Sequence, residues 1–461
     1  MGRSLDRVPR ARGRWRVLTS GRFVIARAAD TIIIGAGAAG LAAAHELTGA
    51  GRDVLILEAR ERVGGRIVAG PALGATAASA ELGAEFIHGK SAPVFEWLRR
   101  VGDTPIDAGR ERWMRQGRAG LQRAEPLFDE LGRRLSRLSP PRPDVTLGEF
   151  LERHRRALRP AVRTLACALV EGFDAADAAR ISAREVLDEW QGSASADAPT
   201  FRAARGLSST VHAMLATLPR DRAHVQCDTV VRAVRWRPGY VKIDALRHDQ
   251  PCSFEAARAI VTLPLGVLQQ PHTAPGGVHF EPDLPTRRTA LARLAMGPVV
   301  KLVLQFDQPF WEEAQGGRYR DAAFFFAPGA PFPTFWTSIP VRSSMLVAWS
   351  AGPNADRLRG LERREVVAQA LGSLERAFGR RAYASMLERV VWHDWQADPR
   401  ALGAYSYVLA GGSRARRALA RPLEQTLFFA GEACDVEGEA GTVGGALASG
   451  RRAARDVLAV A

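Results

Sequence analysis

The sequence predicts an α/β protein in which a parallel, Rossmann-like sheet domain is interrupted by the pieces of a second, α+β domain. Three observations carry this. A β-branched run, Thr31-Ile32-Ile33-Ile34, leads directly into a glycine-rich turn and a helix. Strand character of the same kind returns after Gly206 and again at Leu427. Between these stretches lies amphipathic, mainly helical sequence with many arginines. At roughly 150 residues per domain, 461 residues suffice for two or three domains, and 46% hydrophobic with 25% charged residues is the balance of a folded globular chain.

A formal net charge of +15 would suit nucleic acid or an anionic membrane. Yet of 64 cationic residues only Lys90, Lys242 and Lys301 are lysines, and the arginines are scattered through Ala-rich and Gly-rich sequence rather than gathered into a stripe. The reading is therefore no nucleic-acid partner. Cys167, Cys227, Cys252 and Cys434 form no C-x-x-C pair, so neither a disulfide framework nor a metal site is expected, and a reducing, cytoplasmic location is the default. No run reaches the roughly 18 apolar residues of a spanning helix, so no integral membrane association is expected. Residues 1–29 carry eight Arg and a single acidic residue, Asp6, without an apolar signal core; they read as a basic, disordered extension.

The first element is the Thr31–Ile34 strand, and Gly35-Ala36-Gly37-Ala38-Ala39-Gly40 after it is a G-x-G-x-x-G turn that opens a helix. Gly35 permits the tight turn, Gly37 lets a diphosphate approach the backbone, Gly40 lets helix and strand pack closely, and the helix N-terminus supplies N–H donors. Val54-Leu55-Ile56-Leu57 makes the second strand and ends in Glu58, 18 positions after the last glycine, where a carboxylate meets an adenosine ribose. Glu171, Asp174 and Asp177 follow at intervals of three on a predicted helix, where a shared face could attract a cation. Val225–Val234 and Tyr240–Ala245 read as a small antiparallel piece, and Ala259–Leu268 as a strand rejoining the main sheet. Lys301 stands in the apolar run Val299–Phe306; in so lysine-poor a chain a desolvated ammonium there is a candidate functional group.

Several of these segments resemble the flavin amine oxidases, particularly their polyamine oxidase and histone demethylase branch. The similar stretches are Glu58-Ala59-Arg60-Glu61-Arg62-Val63-Gly64-Gly65-Arg66, Glu81-Leu82-Gly83-Ala84-Glu85-Phe86-Ile87-His88-Gly89, Gly297–Phe306 with Pro309-Phe310-Trp311, Trp392–Tyr407, Leu427–Ala433 and Gly441–Gly450. The resemblance implies an FAD-binding, glutathione-reductase-type Rossmann-like domain interleaved with an α+β substrate-binding domain. It divides the chain into FAD-binding parts at 30–95, 206–290 and 398–461 and substrate-domain parts at 96–205 and 291–397.

It also implies site residues. Gly35, Gly37, Ala39, Gly40, Glu58, Ala59, Arg60, Gly64, Gly65 and Arg66 would hold the nucleotide and diphosphate; Gly83, Ala84, Glu85 and Phe86 would pass the flavin ring; Val230 would meet the adenine; Thr262, Trp395, Gly431, Glu432, Gly441, Thr442 and Val443 would complete the cofactor site. Lys301 would hold a water at flavin N5, Tyr405 would stand beside the ring, His88 would contact the amine, and Thr442 stands where the membrane-bound monoamine oxidases place a second tyrosine. Ala404 replaces the cysteine to which those enzymes attach their flavin, which implies non-covalent FAD. The implied reaction is oxidation of an amine, a polyamine before others, with molecular oxygen as acceptor. The residues leave open an L-amino-acid oxidase, in which an arginine would clamp a carboxylate, and a non-catalytic binding protein on the same fold. Asp435, Glu437 and Glu439 would have to face the entrance if a polycation is to enter a chain of charge +15.

Overall fold

The computed structural model describes residues 25–72, 79–191, 199–379 and 383–460. Its first sheet runs in the order Ala223–Gln226, Val54–Leu57, Ile25–Ile34, Gln250–Val261, Tyr240–Arg247, Thr229–Arg237 and His279–Glu281, with Leu427–Phe429 also paired to Gln250–Val261. The core strands are parallel, with Ile32 opposite Leu55 on one side and Ala259 on the other. Ile32 and Ile33 point to opposite faces, and both are fully buried. This explains why the strand reads as a continuous apolar run rather than an alternating one.

The strand Gln250–Val261 joins two arrangements. Its first half pairs antiparallel with Val241–Arg247, and its last three residues pair parallel with Leu427–Phe429. Two sequence boundaries shift accordingly. The segment expected as one strand from Val225 to Val234 is two: Ala223–Gln226 is the parallel edge beside Val54–Leu57, and Asp228, at φ 52°, turns the chain before Thr229–Arg237 enters the antiparallel meander. The run Ala259–Leu268 stops being a strand at Val261; after Pro264, Leu265–Leu268 is a short helix. Strand structure also begins at Ile25, so the last five residues of the expected extension belong to the first strand, while residues 1–24 lie outside the described residues.

The helix Ala38–Gly49 covers one face of this sheet and crosses the final helix, Val443–Leu458. The crossing is close because glycine allows it. A Cβ on Gly450 would stand 2.2 Å from the Ala39 carbonyl oxygen, and one on Gly40 would stand 2.0 Å from that of Gly35.

A second sheet has the order Leu387–Asp394, Val299–Phe306, Met345–Ala351, Thr334–Thr337, Phe324–Phe326, Arg112–Arg115 and Leu121–Arg123. The strand Val299–Phe306, second in this order, alternates with the pleat. Val300, Leu302, Leu304 and Phe306 share a buried cluster with Val366, Ala370 and Leu374 of the helix Arg363–Phe378, whereas Val303 packs with Trp336, Met345 and Val347, the other face. Lys301 belongs to that other face. The five α-helices from Ala92 to Gln191 and the short sheet of Ile87–His88, Thr200–Ala203 and Pro105–Asp107 fall in the chain between the first-sheet strands Val54–Leu57 and Ala223–Gln226.

Gly450→Ala should cost about 1–3 kcal/mol through overpacking against Ala39. By contrast Gly132→Ala, in the interior of the helix Glu125–Leu135 with no atom near its added carbon, should gain about 0.5–1 kcal/mol. Chemical denaturation midpoints of the two variants check this pair.

Candidate active site

A cavity of about 1040 Å³ runs along the C-terminal ends of the parallel strands and continues against the face of the second sheet that carries Lys301. At one end it is lined by Gly35, Gly37, Ala39, Glu58, Ala59, Arg60, Gly64, Gly65 and Arg66. The helix Ala38–Gly49 has no side-chain cap, because Gly37 stands at its N-cap, so its first-turn N–H groups stay open to this end of the cavity. Gly37 has nothing within 4 Å of where a Cβ would point, and a Cβ on Gly65 would stand 3.6 Å from Gly37 Cα. This leaves a cradle bounded by bare backbone. Glu58 is fixed beside it: one carboxylate oxygen accepts from Ala36 N at 2.8 Å and the other from Arg60 N at 2.9 Å. Gly40 does not line the cavity and serves the helix–strand contact instead.

Further along, the walls are Gly83, Ala84, Glu85, Phe86, Thr262, Trp395, Gly431, Glu432, Gly441, Thr442 and Val443, with Val230 at the nucleotide end. The Glu432 carboxylate is already engaged, by Arg66 Nη1 at 2.9 Å on one oxygen and by Ser406 N and Oγ on the other. Burial would push this carboxyl up, but the charges of Arg66 and Arg416 hold it below the usual range. Arg66 Nη1 also donates to the Ala404 carbonyl at 2.6 Å. Arg60 is held by Asp398, which also accepts from His393. Thr442 lines the cavity, but its hydroxyl caps the final helix, accepting from Gly445 N at 3.1 Å and donating to the Glu439 carbonyl.

Lys301 is 1% exposed and is not alone. Its ammonium donates to Glu85 Oε2 at 2.7 Å and to the Gly83 carbonyl at 3.3 Å, and stands 5.3 Å above the Trp336 ring. Glu85 in turn accepts from Arg202 Nε at 2.9 Å and from Trp336 Nε1. Burial would push the Glu85 carboxyl up, but Lys301 and Arg202 hold it below its ordinary range. Its carboxylate is thus committed to neighbouring side chains, although the residue sits on the cavity wall where expected. Arg202 also covers the Phe86 ring at 4.5 Å. Neither Arg202 nor Trp336 lies in a recognisable motif, so neither partner is legible from sequence.

His88 sits on the cavity wall edge-on to Phe173, with ring centroids 4.7 Å apart. Desolvation pushes its imidazole down to about 4. Tyr405 lines the cavity beside Gly441 and donates its hydroxyl to the Phe173 carbonyl at 2.5 Å.

The expected shared helix face of Glu171, Asp174 and Asp177 does not form. The helix Pro160–Gly172 ends first, and Ala175 turns the chain at φ 49°. Asp174 alone of the three lines the cavity; Glu171 meets Asn354, and Asp177 accepts from Ala179 N. Asp435, Glu437 and Glu439 do line the cavity. Asp435 Oδ2 accepts from the backbone of Glu437, Gly438 and Glu439, and Glu439 accepts from Ser91, so two of these carboxylates shape the turn before the final helix.

Residues 38–458 match the family model described as flavin containing amine oxidoreductase. The chain is 26% identical to polyamine oxidase 4 of Oryza sativa subsp. japonica, across 92% of this chain and 88% of that protein. It is 29% identical to lysine-specific histone demethylase 1 homolog 2 of the same organism across 94% of this chain, but spans only 57% of that relative's length. Among solved structures, putrescine oxidase bound to putrescine superposes with a TM-score of 0.78 at 22% identity, covering 94% of this chain and 99% of that one. Cyclohexylamine oxidase from Brevibacterium oxydans IH-35A gives 0.75 at 21% identity with the same coverage. At these identities the two structures establish a shared fold. Among the described residues no helix is long and apolar enough to cross a membrane, and no cluster of metal-ligating side chains occurs.

Two outcomes follow from the charges at this site. Glu85→Ala should destabilise the protein by about 3–5 kcal/mol, because it leaves Lys301 and Arg202 buried without a countercharge, while Lys301→Met should cost less since Arg202 still neutralises Glu85. Thermal unfolding of the two variants gives the order. For His88, the unfolded chain takes up a proton near pH 6.5 and the folded one only near 4, so its contribution to stability is full above 6.5 and is lost as pH falls towards 4. A His88→Asn variant should lose less stability than the unsubstituted protein between pH 7 and pH 4.5 in denaturant titrations.

Proposed function

Since the chain belongs to the flavin-containing amine oxidoreductase family, we propose that it is an FAD-dependent oxidase of amines, acting on a polyamine or another primary or secondary amine with molecular oxygen as acceptor. One observation carries the reading: a nucleotide cradle at the end of a parallel sheet and a chamber walled by Lys301, Tyr405 and His88 are parts of the same cavity. The open helix N-terminus, the side-chain-free approach at Gly37 and Gly65, and the preset Glu58 carboxylate suit the diphosphate and ribose of a dinucleotide. FAD held there would supply the redox chemistry, taking up the two electrons and proton lost from the amine's C–N centre and passing them to oxygen as hydrogen peroxide, the imine product being hydrolysed by water.

The protein's own residues would act as follows. First-turn amides from Gly37 to Ala39, with Gly64, Gly65 and Arg66, hold the diphosphate; Ala59, Arg60 and Val230 border the adenosine. Gly431 and Glu432 lie along the sugar chain. The turn Gly441-Thr442-Val443 presents its backbone to the ring, with Thr262 and Trp395 closing the remaining wall. Lys301, with two N–H groups directed to Glu85 and Gly83, has one left to hold a solvent molecule in the cavity. Tyr405, fixed by its bond to Phe173, gives the substrate an aromatic wall. His88 is uncharged at neutral pH and so does not repel a cationic amine on entry. Ala404 offers no thiol for attachment, which supports non-covalent FAD. The residues of the first sheet, from 30–95, 206–290 and 398–461, would form the cofactor domain, and those of 96–205 and 291–397 the substrate domain.

Purified protein should be yellow, and acid precipitation should leave the FAD in the supernatant. A peroxide-coupled screen with polyamines, N-acetylated polyamines, monoamines and L-amino acids should yield peroxide from amines. Lys301→Met should lower that rate at least about 100-fold, while Lys242→Met, on the outer meander, should leave it unchanged. FAD-loaded protein that forms no peroxide from any amine would overturn the reading.

A further inference from the structure

Lys301 and Glu85 do not form a closed pair. The carboxylate divides its oxygens between two cations: Oε2 accepts from Lys301 Nζ at 2.7 Å and Oε1 from Arg202 Nε at 2.9 Å. Trp336 Nε1 lies within 3.2 Å of both oxygens and draws on the same group. Glu85 and Lys301 line the cavity, but Arg202 does not; it stands on the strand Thr200–Ala203, paired with Ile87–His88. Its guanidinium is fixed on three sides, since Nη1 also donates to the Ile339 carbonyl at 2.5 Å and Nη2 to the Thr337 carbonyl at 2.9 Å. The Arg202 side chain is 11% exposed, and its ion pair among the described residues is with Glu85.

We propose that Arg202 is a positioning residue for Lys301: by taking half of the Glu85 carboxylate it keeps the Lys301 ammonium from being neutralised, so that a net positive charge faces the place where the flavin would be held. Two cations against one carboxylate leave one positive charge, whereas a Lys301–Glu85 pair alone would leave none. Glu81 also acts on both Lys301 and Glu85, but burial pushes its carboxyl above the usual range, and it is turned to Ser208, accepting from that residue's N and Oγ at the start of the helix Leu207–Ala216. It leaves the difference that Arg202 makes unchanged. The proposal rests on the FAD-dependent reading above and adds to it a residue remote from the cavity wall. Charge beside the ring is one means by which a protein tunes a flavin. A positive charge there favours the electron-rich reduced ring, and favours addition of an anion such as sulfite to the oxidised one.

The test measures the midpoint potential of the bound flavin and the dissociation constant for sulfite in FAD-loaded protein, with no amine present. Arg202→Gln, which leaves Lys301 and Glu85 as a neutral couple, should weaken sulfite binding roughly 10-fold and lower the potential by about 30 mV, the equivalent of that factor for two electrons. Lys301→Met, which leaves Arg202 and Glu85 as the neutral couple, should move both readouts in the same direction. Arg202→Lys keeps the charge but loses the fixed guanidinium fork, and should hold both readouts near those of the unsubstituted protein. A merely structural role would make Arg202→Lys as damaging as Arg202→Gln. That result, or an unchanged potential in Arg202→Gln, would overturn the proposal. Should Arg202→Gln fail to hold FAD, a lowered potential in Lys301→Met with a retained one in Arg202→Lys supports it, and any other pairing overturns it. Unsubstituted protein that binds no FAD would instead defeat the reading on which the proposal rests.

Discussion

The Lys301–Glu85 ion pair is the contact on which the arrangement of the site depends. A lysine buried in an interior strand of a seven-stranded sheet would be expelled or neutralised if it were alone, since desolvating an isolated ammonium costs far more than a protein's net stability. It is retained because Glu85, from a segment more than 200 residues earlier, lies 2.7 Å away with its other oxygen on Arg202. Glu85 follows Gly83, whose own packing allows no side chain: a Cβ there would stand 1.9 Å from the Arg66 carbonyl. The ion pair therefore links the Gly64-Gly65-Arg66 turn of the nucleotide cradle to the sheet of the second domain. It sets the distance between the two ends of the cavity.

Charge is distributed along that cavity with a gradient. The cradle end exposes backbone N–H groups and arginines, suited to phosphate. The middle holds a neutral imidazole at His88 and a paired cation at Lys301. The far end carries unpaired carboxyl groups. A chain of net charge +15 can thus contain carboxyl groups on its cavity wall, beside arginines such as Arg416, whose guanidinium is engaged with Ser406. The objection that overall charge raises against a polycationic substrate concerns long-range approach, which salt screens within about 10 Å, and does not apply to the interior of the chamber.

What the sequence made legible follows the range of the interactions. The cradle is local: the strand, the glycine turn, the helix and Glu58 occupy fewer than 30 consecutive residues, and their roles follow from spacing. Segments such as Glu81–Gly89 and Trp392–Tyr407 could be placed because they resemble a family, and all but Gly40 of the residues they nominated line one cavity. The misses are of two kinds. Partners brought together by tertiary structure, such as Arg202 and Trp336 on Glu85, have no common local pattern. Backbone turns that override periodicity were also missed: Asp228 splits one expected strand into two, and Ala175, at positive φ, breaks the acidic helix face and sends Asp174 into the cavity without Glu171 or Asp177. Aspartate is enriched in the left-handed region, so Asp228 carries a weak sign of its turn, whereas Ala175 carries none and is held there by its surroundings.

The most direct measurement is anaerobic mixing of FAD-loaded protein with a series of amines while the yellow flavin absorbance is followed. If the cradle and the chamber form one site, a diamine will bleach the flavin in a single turnover without oxygen, and admitting air will restore the colour. Flavin that stays bound and oxidised at saturating concentrations of every amine would show that the chamber does not deliver an amine to the cofactor, and would contradict the account.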